Sequence, residues 1–213
     1  MPLRSRGQRA CGSAARTGLF LCLALGVAAC GGSGGPDPET LVVGGTKARE
    51  GVGGGGGATV SNTLILGDTP GNAARAAFLS FPLTDLPAGA DVATATLHVH
   101  HMGVTFGSPY PDLGVLVVDS VDLGAGVDAS DATSPALITL PGTLSDAAAV
   151  GARSLDVTAA VLADLAALRT RSEFRLRFTL GTDNDGQQDT IQIAETGSVD
   201  PQPPPTLVIT YRP

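Results

Sequence analysis

The chain has no tryptophan, two tyrosines and six phenylalanines among its 213 residues. Recognition surfaces that stack on ligands need exposed aromatic faces, so the supply for a stacking platform is thin. Cysteine is equally scarce, at Cys11, Cys22 and Cys30. The first two fall in a segment read below as removable, so the mature chain keeps one cysteine and forms no internal disulfide. An exported protein without such staples holds itself together by core burial or with a bound metal. The histidines, His98, His100 and His101, all sit in one short stretch. Nothing around them suggests a nucleophile paired with a base and an orienting carboxylate, so the chain reads as non-catalytic. Basic residues are outnumbered, 13 against 20, for a net charge of −7. Removing the four N-terminal arginines leaves 9 − 20 = −11, which argues against nucleic acid or anionic lipid as a partner.

The N-terminal stretch carries Arg4, Arg6, Arg9 and Arg16 with no acidic residue, and the twelve residues from Gly18 to Ala29 are apolar or small. That pattern is a signal peptide, too short to span a bilayer. It ends in Val27-Ala28-Ala29-Cys30, which resembles the bacterial lipobox. Cleavage before Cys30 and lipid on that cysteine are expected, the alternative being an ordinary secretory peptide cut nearby. The expected address is the cell envelope, held to a membrane through the lipid. Gly31 after the cysteine points to the outer membrane or cell surface in a cell with two membranes. The glycine-rich stretches at 31–35 and 53–57 predict a flexible spacer over residues 30–57, leaving 58–213 as the folded domain. About 155 residues are enough for one core that buries roughly two-thirds of its unfolded surface.

Beyond Ala58 the dominant period is two. Phe174, Leu176, Phe178 and Leu180 alternate with Glu173, Arg175, Arg177 and Thr179, which predicts a strand with one face on the core and the other in water. Ala93, Ala95, Leu97 and Val99 alternate likewise with polar residues, as do Leu207, Ile209 and Tyr211. Further strands are expected near 63–67, 76–83, 114–121, 136–140, 153–157 and 190–194. Asp68-Thr69-Pro70-Gly71-Asn72, Leu86-Pro87-Ala88-Gly89 and Asp183-Asn184-Asp185-Gly186 supply turns between them. The one exception is Val157, Val161, Leu165 and Leu168 at near-helical spacing, with Thr158 placed as a cap. The expected fold is all-β, an antiparallel sandwich with one short helix over about 158–169.

Four stretches in order resemble the DNRLRE (disaggregatase-related) domain: Arg75-Ala76-Ala77-Phe78-Leu79-Ser80-Phe81, Leu86-Pro87-Ala88-Gly89-Ala90 leading into Ala95-Thr96-Leu97, Asp156-Val157-Thr158, and Pro205-Thr206-Leu207-Val208-Ile209-Thr210-Tyr211. The resemblance covers roughly residues 60–211. It implies a jelly-roll β-sandwich similar to carbohydrate-binding modules, with a binding or scaffolding role and no catalysis. The chain departs from the pattern in the region 121–135, where family members often carry tryptophan and this one has Asp, Ala, Gly and Ser.

Three groups of residues are candidates for chemistry. Phe106, Tyr110 and Asp112 lie in a loop stiffened by Pro109 and Pro111 and are the best candidates for touching a sugar, against the plainer reading of a self-packed turn. Asp183, Asn184, Asp185 and Asp189 crowd one loop and offer the hard oxygen ligands that a structural calcium needs, against an acidic Asx turn that merely joins strands. No cofactor is required by the pattern. His98 and His100 share a strand face and form a two-residue start for a transition-metal site, against two exposed histidines. The partners expected are the membrane, through the lipid, and a polysaccharide or an envelope protein.

Overall fold

The computed structural model describes residues 35–213 apart from 56, 61–62 and 198–200. The expected signal peptide and the lipidation residue Cys30 lie outside the described residues. Among those described, no helix is long and apolar enough to cross a membrane.

The described residues form twelve strands: β1 (Glu39–Gly44), β2 (Gly51–Gly54), β3 (Gly57–Val60), β4 (Leu64–Asp68), β5 (Ala74–Pro82), β6 (Asp91–Phe106), β7 (Leu116–Ser120), β8 (Ile138–Thr139), β9 (Gly151–Asp156), β10 (Arg171–Phe178), β11 (Thr190–Ile193) and β12 (Thr206–Arg212). Helix α1 (Pro109–Leu113) follows β6, and α2 (Thr158–Ala166) lies between β9 and β10. Every pairing is antiparallel, in the order β1-β12-β6-β11-β4-β5-β10-β7-β8, with β9 on β6 and β2 on β5. This is the expected all-β antiparallel sandwich. One long strand, β6, organises it. The first half of β6 pairs with β12 and its second half with β11, each pairing interrupted by register shifts.

The alternation read in the sequence places the core correctly on β6, β10 and β12. Ala95, Leu97 and Val99 are buried, as are Phe174, Leu176 and Phe178, with Leu207, Ile209 and Tyr211 opposite. The rings of Phe81 and Phe174 lie 6.0 Å apart and tilted. Leu180 and Ala93 are the exceptions: β10 ends at Phe178 and leaves Leu180 exposed, and beside the register shift between Thr210 and Tyr211 it is Val92 that is buried and Ala93 that is exposed.

Three expectations are corrected. The first is the spacer to residue 57. Strand β1 pairs with β12 over six residues, and β2 pairs with β5. Glu50 between them is fully buried, accepting hydrogen bonds from the Thr196 backbone N–H (2.9 Å) and hydroxyl (2.6 Å). The glycines that suggested flexibility instead allow close approach: a Cβ on Gly53 would stand 3.0 Å from the Phe78 ring and from the Asp128 carbonyl. The second is the helix, which stops at Ala166, with Leu168 at φ +58 in the left-handed conformation that ends helices. Thr158 does not cap it. The Asp156 carboxylate accepts from the Thr158 backbone N–H (2.8 Å), while the Thr158 hydroxyl accepts from Ala95 N–H (2.8 Å) and ties α2 to β6.

The third correction concerns the polar face of β10, expected in water. Glu173 and Arg175 are buried, Arg175 only 5% exposed. A second, small apolar cluster of Ala76, Phe78, Val121 and Leu123 shows why: segment 121–135 folds across the outer face of β5 and β10. Arg175 donates to Asp119 Oδ2 through Nη2 (2.7 Å) and Nε (3.1 Å), and through Nη1 to the carbonyls of Asp131, Ala132 and Ser134. Arg177 Nε adds a bond to the same carboxylate oxygen at 2.7 Å. Burial acts to raise the Asp119 carboxyl, but the Arg177 and Arg175 guanidiniums outweigh it and hold it below the usual carboxylate range.

Removing one partner of a buried ion pair leaves the other uncompensated, at about 3–5 kcal/mol. Asp119→Ala is therefore expected to lose about that much in denaturant unfolding. Because Asp119 has a depressed folded pKa, its contribution is present above the unfolded value and lost as pH falls through the folded one. The wild-type loss of stability on acidification should be shallower in the variant, and an identical pH profile would contradict the assignment.

Candidate functional site

Three segments distant in sequence meet beyond the C-terminal end of β6: the loop 106–112, the loop 183–189 and the end of β4. Pro109 opens α1, where a missing N–H costs nothing. Tyr110 anchors the helix from beneath. Its ring meets Phe178 edge-on at 5.3 Å and His101 at 5.9 Å, and its hydroxyl donates to Ser145 Oγ (3.1 Å). Tyr110 is therefore turned into the fold and is not available for stacking, which corrects its place among the ligand-contact residues. Phe106, at the tip of β6, is 55% exposed.

Gly107 makes the meeting of the loops sterically feasible. It adopts φ +63, and a Cβ there would fall 2.0 Å from Asp189 Oδ1 and 2.5 Å from the Gln188 carbonyl. In that gap the Ser108 backbone N–H donates to Asp189 Oδ1. The Asp189 N–H donates to Asp68 Oδ1 (3.0 Å), and the Asp68 N–H returns a bond to the Asp189 carbonyl (2.9 Å). Asp68 is fully buried, and its Oδ2 has no hydrogen-bond partner.

Carboxylate oxygens of Asp112, Asp183 and Asp189 lie within 4.8 Å of one another. Two of the four residues expected to hold calcium are thus together, joined by Asp112, which sequence reading placed with the sugar contacts. Asn184 and Asp185 are not in the group. They build the turn itself, Asn184 at φ +65 and Asp185 Oδ1 accepting from Gln187 N–H (2.6 Å), while Gly186 N–H donates to Asn72 Oδ1 (2.8 Å). Asp68 was read only as turn punctuation; its burial comes from pairing with a loop more than a hundred residues away, which leaves no local signal.

The group suits a hard cation. Calcium takes carboxylate oxygens at 2.3–2.6 Å, which leaves neighbouring ligand oxygens at separations of this order. The charge balance points the same way. Burial raises the Asp189 carboxyl, and Asp112, Asp68 and Asp185 raise it further, against the opposing bond from Ser108. A raised carboxyl costs stability once ionised, so the folded state lacking a cation gains stability as pH falls through the folded pKa.

Beside this group opens a cleft of about 500 Å³, lined by Phe106, Ser108, Asp112, Asp185, Gln187 and Gln188 among others. It places one exposed aromatic face next to carboxamide and carboxylate groups.

His98 and His100 play no part here, and His101 enters only as a ring packed on Tyr110. His98 and His100 share the outer face of β6, as expected, and His101 is buried on the inner face with Nδ1 2.7 Å from the Ala149 carbonyl. Among the described residues the three aspartates are the only group of three metal-capable side chains, so the pair of histidines gains no third ligand.

Calcium at about a hundred times its dissociation constant should add about 2.7 kcal/mol, a rise of roughly 5–10 °C in melting temperature for a domain of this size. Asp189→Asn should raise the melting temperature without calcium and abolish the calcium response. No shift of the wild type at millimolar calcium would rule out the site.

No protein-family model and no curated protein matches this chain.

Proposed function

We propose that the chain is a surface-tethered, non-catalytic binding domain that takes carbohydrate in the Phe106 cleft, with calcium held by Asp112, Asp183 and Asp189 as a structural support for its wall. The observation that carries this reading is Phe106, exposed at the rim of a cleft whose other groups are planar and polar. An aromatic face packs against the C–H face of a sugar ring, and carboxamides beside it pair with hydroxyls. Gln187 and Gln188 supply the carboxamides, and Asp112 and Asp185 the acceptors. The resemblance to the DNRLRE domain supports the same class. In this reading lipidated Cys30 fixes the chain to the envelope, and the sandwich presents its loops to extracellular polysaccharide or matrix.

A second reading, a structural or adhesive envelope lipoprotein making protein contacts, is favoured by one observation. Tyr110 faces the core, which leaves a single aromatic in the cleft. One ring gives weak recognition, and a binder of this kind depends on several copies on one surface for its avidity.

Retention of the full chain on a panel of soluble and insoluble polysaccharides, with calcium and with chelator, separates the two. Binding to one glycan class is expected, weakened about tenfold by Phe106→Ala, the ratio that the loss of one stacking contact sets. Tyr110→Phe should leave retention unchanged. No retention under either condition would contradict the glycan reading and favour protein partners.

A further inference from the structure

Two clusters on β10 begin from the same arrangement, two guanidiniums against one carboxylate. Around Asp119 the arrangement is closed: the carboxylate is fully buried, and Arg175 is saturated by three backbone carbonyls. At the other end of the strand it is open. Glu173 Oε1 accepts from Arg49 Nε (3.1 Å) and Nη2 (2.7 Å) and from Ser80 Oγ (2.9 Å), with Arg171 Nε 3.8 Å away. Its other oxygen accepts from Leu123 N–H (2.9 Å).

Arg171 makes its hydrogen bonds to neutral acceptors alone, with Glu173 at ion-pair distance only. Nε donates to Ser80 Oγ (2.7 Å) and Nη2 to Thr46 Oγ1, and Nη1 has no hydrogen-bond partner among the described residues. Burial and then the nearby Arg49 charge hold Arg171 below its ordinary value, against the opposing pull of the Glu173 carboxylate. Arg169 pairs with Asp122 at 2.6 Å and with buried Asp164 at 3.4 Å. The three guanidiniums thus face three carboxylates, of which Asp122, with its side chain 60% exposed, is the one a ligand can displace.

Arg49, Arg169 and Arg171 line a cleft of about 470 Å³ with Leu168 beside them. Leu168 is 88% exposed and holds φ +58, a conformation disfavoured for a leucine. The left-handed turn ends α2, but a leucine there is strained and its exposed side chain adds nothing to the core, and both features coincide at the rim of an arginine cleft.

We propose that this cleft is a second binding site, for the carboxylate of a uronic-acid residue in a glycan, with Arg171 and Arg169 on the carboxylate and Leu168 against the sugar ring. Guanidinium forks match carboxylates in geometry as well as charge. The exchange of Asp122 for a ligand carboxylate leaves the charge balance unchanged. The glycan part of this assignment rests on the reading of the chain as a glycan-binding domain, whereas the carboxylate part does not. The Phe106 cleft shares no residue with this one.

The test is calorimetric titration of the full chain, in chelator, with an oligogalacturonate, its methyl ester and poly-glutamate. The oligouronate should bind about tenfold more tightly than its ester, the range of a lost charge-assisted contact. Arg171→Gln should weaken binding to a similar extent, Asp122→Asn should tighten it by removing the competing carboxylate, and Phe106→Ala should leave it unchanged. Leu168→Gly should raise the melting temperature by relieving the strained conformation while weakening binding, an outcome that loss of folding does not produce. Equal binding of acid and ester, or an unchanged affinity in a folded Arg171→Gln, would overturn the site. Poly-glutamate binding as tightly as the oligouronate would overturn the glycan assignment.

Discussion

The buried charges on the outer face of β10 are the constraint on which the rest of the molecule depends. A two-layer sandwich without disulfides has one apolar core, and this chain fills it with aliphatics and three phenylalanines. The outer face of the same sheet carries Glu173 and Arg175, ions that burial alone would expel. They remain because nearly every lone pair and N–H they present is met. Arg175 bonds Asp119 and three carbonyls of segment 131–134, and Glu173 bonds Arg49, Ser80 and the backbone of Leu123. A saturated network of this kind favours one arrangement of the covering chain over others, since each displacement strands a charge.

That clamp sets where function can lie. With the outer face of β5 and β10 covered, two open concave surfaces form around the strand ends. One is acidic, where Asp68, Asp112, Asp183 and Asp189 converge around Gly107. The other is lined by arginine, where the clamp runs out toward α2 and leaves Arg171 unsaturated. A domain with a strong net negative charge thus presents a cation-favouring end and a cleft suited to a single carboxylate. Long-range repulsion from a polyanion is reconciled with that cleft by the short reach of charge interactions at physiological salt, about 8 Å.

Periodicity made much of this legible. The alternation in 173–180 and 207–212 identified strands and chose the inward face correctly for Phe174, Leu176, Phe178, Leu207 and Ile209. The same rule sent Glu173 and Arg175 to solvent, because alternation reports which residues share a face and not whether a later segment covers it. The glycine run beginning at Gly53 departs from its expected flexibility for a related reason. Composition reports backbone freedom, but at Gly53 the missing side chain admits the Phe78 ring. At the acidic site, residue type was informative and grouping was not: Asp183 and Asp189 are neighbours in sequence, whereas Asp112 and Asp68 join them only through the pairing of β11 with β4 and β6.

The central claim is that residues 39–54 and 121–135 are integral layers clamped to β5 and β10, not a spacer and a loose loop. Native-state hydrogen exchange resolved by segment tests it most directly. Slow exchange in β1, in β2 and at Leu123, whose N–H is held by Glu173, approaching that of β10 itself, is the expected result. Exchange of residues 39–54 at the rate of an unstructured chain, with β10 still protected, would contradict it.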